Sequence, residues 1–146
     1  MDAKPVVVGV DGSPDSLRAL TWAAEYARRF ELPLEAVAAY QMPIVLGPAG
    51  MAGFEDSDTL EKSAGDMLTA VVREALGESA QVAERTALGH PGEVLVRTSR
   101  GASLLVVGSR GRGGFTGMLL GSVSQHCVTH ARCPVLVMPH EDPEAQ

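Results

Sequence analysis

The sequence predicts a single α/β domain in which a parallel sheet is wound by helices on both faces. Three observations predict it. Five short apolar runs alternate with four stretches of helical periodicity, in the order β-α-β-α-β-α-β-α-β. The first and fourth of these runs lack the polar alternation of a sheet with one wet face, as expected of strands covered on both sides. At 146 residues, 45% hydrophobic and 21% charged, the chain has the size and balance of one globular domain with a real core, which excludes disordered and fibrous classes. Residues 1–140 are expected to form that domain and residues 141–146 a frayed tail. In such a sheet ligands sit outside the carboxyl ends of the strands, where the strand order reverses.

Val6-Val7-Val8-Gly9-Val10 is a β-branched run ended by Asp11-Gly12, which reads as a buried strand and a turn. A helix follows. Ser13 can cap it, Pro14 suits its first position, Asp15 meets the positive end of its dipole, and Leu17, Leu20, Ala24 and Ala27 recur at helical spacing, with a stop near Phe30. Residues 34–40 form the second strand. Leu60, Ala64, Met67, Leu68, Val71, Ala75 and Leu76 make an amphipathic helix that Gly77 can stop. Residues 41–58 between them, rich in Pro, Gly and Met, read as a long connection, either a mobile flap or a contact surface. Residues 82–88 carry Glu84 and Arg85 and suit an edge strand. Residues 91–100 are a short helix ended by Gly101, 104–107 an apolar strand, 122–131 a helix and 135–138 the last strand.

The net charge of −6 is unevenly spread. Residues 94–140 contain no Asp or Glu but hold Arg97, Arg100, Arg110, Arg112 and Arg132. A local basic segment in an acidic chain suits a small anion held at one place, whereas a nucleic-acid track wants a broad basic face and more aromatic side chains than the 4% present. No run approaches the ~20 residues of a membrane helix, and the first residues lack a signal peptide's apolar stretch, so no membrane partner and a cytoplasmic location are expected. Cys127 and Cys133 are too few for a disulfide framework and read as reduced thiols. His126 and His130, one helical turn apart without a neighbouring carboxylate, read as surface residues, and His90 as a helix-start residue.

The most informative segment is the turn after the fourth strand. Of 16 glycines, six (Gly108, Gly111, Gly113, Gly114, Gly117, Gly121) fall between residues 108 and 121. Glycines between a buried strand and a helix let successive N–H groups point into one concavity and hold phosphate oxygens. The phosphate loop of the P-loop NTPases does not match, because no lysine precedes Ser122 and the only lysines are Lys4 and Lys62. The dinucleotide fingerprint fails as well: Gly111-Arg112-Gly113-Gly114-Phe115-Thr116 lacks its last glycine, and no acid follows until Glu141.

Gly108-x2-Gly111-x9-Gly121-Ser122 resembles the ATP-binding signature of the universal stress protein family. The resemblance extends to Val6 through Ser13, to Gly89-His90-Pro91, to Val123-Ser124 and to Cys133-Pro134-Val135-Leu136-Val137. It implies a five-stranded parallel sheet in the order 3-2-1-4-5, of the adenine nucleotide alpha hydrolase type. It also implies that Gly108, Gly111, Gly121 and Ser122 line the ribose and phosphates of ATP, that Asp11 approaches the ribose or a Mg²⁺ ion, and that backbone at Ala39 meets adenine. Arg110, Val123 and Ser124 complete the candidate set. Ala38-Ala39 departs from the His-Val pair that many relatives carry there. Homodimers through the last strand are a further implication. The function expected is a nucleotide-dependent regulator or sensor in stress response, with slow or no hydrolysis and no catalytic residues. The alternatives are a cyclic AMP sensor and an enzyme that transfers AMP, for which Asp11-Gly12-Ser13-Pro14-Asp15-Ser16 gives a partial match to a pyrophosphate loop.

Overall fold

The computed structural model describes residues 3–42, 44–46, 52–54, 56–111 and 120–141. Its elements are β1 (Val6–Gly9), α1 (Pro14–Arg29), β2 (Leu34–Tyr40), β3 (Ile44–Leu46), β4 (Ala52–Phe54), α2 (Ser57–Leu76), β5 (Ala83–Leu88), α3 (Pro91–Thr98), β6 (Leu104–Gly108), α4 (Ser122–His130) and β7 (Val135–Met138). The main sheet is wholly parallel in the order β5-β2-β1-β6-β7. With the small pair β3–β4 set aside, this is the expected order 3-2-1-4-5, and β5 takes the edge that its charged residues suited.

The strand period of two sorts β1 between two cores. Val6 and Val8 point to one face and pack with Ala19, Leu20 and Ala23 of α1 and Leu68 and Val72 of α2. Val7 points to the other, against Val94 and Leu95 of α3, Leu105 and Val107 of β6 and Cys127 of α4. Leu20, Leu68 and Leu105 have no exposure at all, and burying each such side chain is worth about 1.5–3 kcal/mol.

Local chemistry sets the helix ends. Ser13 caps α1, its hydroxyl accepting from the N–H of Ser16 at 3.2 Å, with Pro14 in the first turn and Phe30 at the C-cap. Gly77, at φ 85°, ends α2 and donates to the Arg73 carbonyl at 3.0 Å. His90 caps α3, its Nδ1 accepting from Gly92 N–H at 3.2 Å.

Two expectations are corrected. Residues 41–58 are not a plain connection: Ile44–Leu46 pairs antiparallel with Ala52–Phe54, and α2 begins at Ser57 behind an Asp56 cap. Three-residue strands are too short to show a period, and the polar first turn of α2 hides its start. His126 is half-buried, because Gly92 lets α3 approach so closely that a methyl there would lie 2.9 Å from the imidazole. Residues 142–146 of the expected tail, and Arg112, Gly113, Gly114, Phe115, Thr116 and Gly117 of the glycine-rich turn, lie outside the described residues.

Candidate functional site

Because β1 and β6 are neighbours, with Val6 opposite Leu104 and Val8 opposite Val106, the turns that leave them face each other. Between them opens a cavity of about 440 Å³, within the size range of small-molecule sites. Asp11, Ala39, Gly108, Arg110, Gly111, Gly121, Ser122, Val123 and Ser124 all border this cavity. Gly9, Ser16, Val37, Pro91, Leu95 and Val107, which were not among the candidate site residues, also line it. The last four, with Ala39 and Val123, form an apolar wall opposite the polar turns.

Each turn is built by its own hydrogen bonds. Asp11 Oδ1 accepts from Ser13 N–H at 2.9 Å, while Asp11 N–H donates to Ser16 Oγ at 3.3 Å. The Asp-Gly turn therefore has the local structural role common to such pairs, and it also points the carboxylate across the cleft. A methyl on Gly111 would come within 2.6 Å of Asp11 Oδ2, so glycine at that position leaves the end of the Asp11 carboxylate its place in the cleft.

The second turn closes on itself. Gly121 N–H donates to Ser109 O at 2.6 Å, and Ser124 Oγ donates to Ser109 O at 2.7 Å with Gly121 O at 3.0 Å. Ser124 thus fastens the turn and is buried in doing so.

The start of α4 differs from the other three described helices. Ser13, Asp56 and His90 each place a side-chain acceptor on the first amides of α1, α2 and α3. The N-cap of α4 is Gly121, and among the described residues no side chain caps it. Among the described residues the leading amides of Ser122, Val123 and Ser124 meet no side-chain acceptor, and a helix start of that kind is the arrangement that binds anions.

Behind the cavity lies a residue that sequence reasoning took only as a dipole partner. Asp15 is 3% exposed, and its Oδ2 accepts from Ser109 Oγ at 3.2 Å and from Arg110 N–H at 3.3 Å. Oδ1 pairs with Arg18 at 3.0 Å, and His140 Nδ1 lies 3.1 and 3.0 Å from the two oxygens. Burial alone would raise the carboxyl; hydrogen bonds from His140 and Arg18, the His140 charge and the Arg110 amide together hold it below its usual 3.8. Nothing local betrays these partners, since Ser109 and His140 stand 94 and 125 residues away in sequence.

Among the described residues no three His, Cys, Asp or Glu side chains gather as a metal site. A lone Asp11 is compatible with Mg²⁺, which keeps most of its water and takes one or two carboxylates together with ligand phosphates. No described helix is long and apolar enough to cross a membrane.

A model of the Universal stress protein family matches residues 3–139. The chain is 33% identical over 153 aligned residues to Universal stress protein Rv1996 of Mycobacterium tuberculosis (strain ATCC 25618 / H37Rv), covering 93% of this chain and 48% of that protein. It thus spans about half the length of the curated relatives it matches. Among solved structures, UspA from Lactobacillus plantarum superposes with a TM-score of 0.75 at 22% identity over 94% of this chain and 99% of that one. A universal stress protein in complex with cAMP gives 0.67 at 29%, covering 94% and 97%. The Archaeoglobus fulgidus protein in complex with dAMP gives 0.64 at 25%, covering 94% and 99%.

Proposed function

This chain belongs to the universal stress protein family, and from that premise we propose that it binds ATP in the cavity between the β1 and β6 turns and acts as a nucleotide-dependent regulator. The observation that carries the reading is the uncapped start of α4, which opens on the same cavity as Gly108, Gly111 and Gly121. Phosphate oxygens accept from the amides of Ser122, Val123 and Ser124, where dipole and N–H groups act together. Adenine lies against the apolar wall. β1 stops pairing at Gly9 opposite Val37, three residues before β2 ends, so the backbone about Ala39 borders the cavity on that side and meets the base.

Asp11 accepts from the ribose hydroxyls or holds Mg²⁺ jointly with the phosphates; the ion, when bound, neutralises phosphate charge beside a carboxylate. In this reading the protein holds the nucleotide rather than cleaving it, with slow or no hydrolysis. The relatives solved with cAMP and dAMP support an adenine nucleotide, and the first of them supports cyclic AMP as the second reading. β7 ends the main sheet, and Val135–Met138 is half-buried throughout, which supports a homodimer that continues the sheet across that strand. A cytoplasmic role in stress response completes the proposal.

Calorimetric titration of the purified protein with ATP, AMP and cyclic AMP, with and without Mg²⁺, is the test. Binding of ATP that is lost on enlarging Gly111 or Gly121 supports the assignment; no binding of any of the three by the wild type refutes it. Tighter cyclic AMP binding favours the sensor. Release of pyrophosphate from ATP and an acceptor identifies an enzyme that transfers AMP.

A further inference from the structure

The nucleotide loop is tied to the far end of the chain. After β7 the backbone turns back over the first turn of α1. There the Arg18 guanidinium donates to the Pro139 carbonyl, and its Nε stands 3.7 Å from Glu141 Oε2. The same guanidinium holds Asp15 Oδ1. Since an ionised carboxylate can only accept, the His140 nitrogen 3.0 Å from Asp15 Oδ2 carries the proton of that bond. Asp15 in turn accepts from Ser109 Oγ and Arg110 N–H, and Ser109 O is the acceptor on which Gly121 N–H and Ser124 Oγ close the loop. One buried carboxylate therefore joins three segments: the start of α1, the turn after β6 and the residues after β7. Gly108 permits this, because a methyl there would lie 2.8 Å from Asp15 Cβ.

Asp15 itself does not line the cavity. Its side chain reaches the turn after β6 through Ser109 and Arg110. We infer that Asp15 is a positioning residue of the nucleotide site and that, with Arg18 and His140, it couples the seating of residues 139–141 to the arrangement of the nucleotide loop. The inference rests on the nucleotide reading of the cavity. Coupling of this kind is reciprocal: whatever the seated segment adds to nucleotide affinity, bound nucleotide returns to the seating of the segment. A partner that pulls the segment from α1 lowers nucleotide affinity, and nucleotide resists that partner.

His140→Ala is the sharpest probe, because the ring is 38% exposed and its loss leaves the core intact. Asp15→Asn keeps an acceptor for Arg110 N–H while removing the charge that Arg18 and His140 share. In ¹⁵N-labelled protein without nucleotide, His140→Ala is expected to shift the Arg110 and Ser109 amide signals. In calorimetry it weakens ATP binding about five- to tenfold, in the usual range of coupling between sites, at a temperature where the variant is fully folded. Asp15→Asn weakens binding by at least as much, and saturating ATP moves the ring signals of His140 in the wild type. A merely structural contact would lower the melting temperature and leave affinity alone. Unchanged Arg110 and Ser109 amides in His140→Ala, or unchanged ATP affinity beside a wild type that binds, overturns the inference. Amides that respond in a protein that binds no nucleotide uphold the tether and refute the nucleotide reading instead.

Discussion

Replacing Gly108 with alanine places a methyl 2.8 Å from Asp15 Cβ, 3.0 Å from the Asp15 carbonyl carbon and 3.1 Å from the Ser16 nitrogen. Two of these atoms are backbone in the first turn of α1, so no rotamer change relieves the clash. Ordinary contact begins near 3.4 Å, and β6 and α1 must part by roughly half an ångström across a packed core, a distortion that costs about 1–3 kcal/mol. Removing a strand glycine's backbone freedom returns about 0.5–1 kcal/mol. The net is a loss of up to about 2.5 kcal/mol, centred near 1 kcal/mol, or a fall in melting temperature of about 3 °C at that centre for a chain of this size. Gly9→Ala is the control: its methyl would lie 2.7 Å from Leu95 Cδ1 and 3.2 Å from Cδ2, the far end of a side chain that can turn aside, and it should lose less than about 1 kcal/mol. Urea unfolding of both variants, with the wild-type slope retained, measures the difference. A Gly108→Ala protein as stable as the wild type, or more stable than Gly9→Ala, would show that the approach of β6 to α1 is not the constraint described.

Gly111→Ala should behave oppositely: the methyl meets only the end of Asp11, so stability stays within about 0.5 kcal/mol while ATP affinity falls at least tenfold, as melting and calorimetry on one sample will show. Acid should act through Asp15. Its folded-state value lies below the usual 3.8, so its stabilisation is complete above about pH 4 and is lost as pH falls through the lowered value. Wild-type stability must therefore drop more steeply below pH 4 than that of Asp15→Asn, and equal slopes in urea titrations at each pH would contradict this. Cys127 is buried, and burial together with neighbouring Cys133 pushes its thiol up to about 11. A neutral-pH alkylating reagent should leave it unlabelled in the native protein and modify it only on unfolding, as peptide mass spectrometry can record.

Much of this could be read from the chain because it is locally encoded. Ser13-Pro14 announces the start of α1, Gly77 its counterpart at the end of α2, and the apolar runs at Val6 and Leu104 give two buried strands whose carboxyl ends had to hold any ligand. The family resemblance then named nine residues from four regions of sequence, and all nine border one cavity. What stayed hidden was what three-dimensional proximity creates. Asp15 meets its dipole as local rules say, yet its principal partners come from the turn after β6 and the end of the chain. The β3–β4 pair is too brief for periodicity, and Ser124, expected in the candidate binding set, proves also to be the clasp of the glycine-rich turn.

The bare start of α4 bears on how long the molecule withstands proteolysis. A nine-residue helix with no capping side chain among the described residues is a weak place in the scaffold. Any anion that completes it raises the free energy of opening, by about 2.7 kcal/mol at a hundredfold excess over the dissociation constant. Resistance of the purified protein to proteases is then expected to rise with the concentration of that anion.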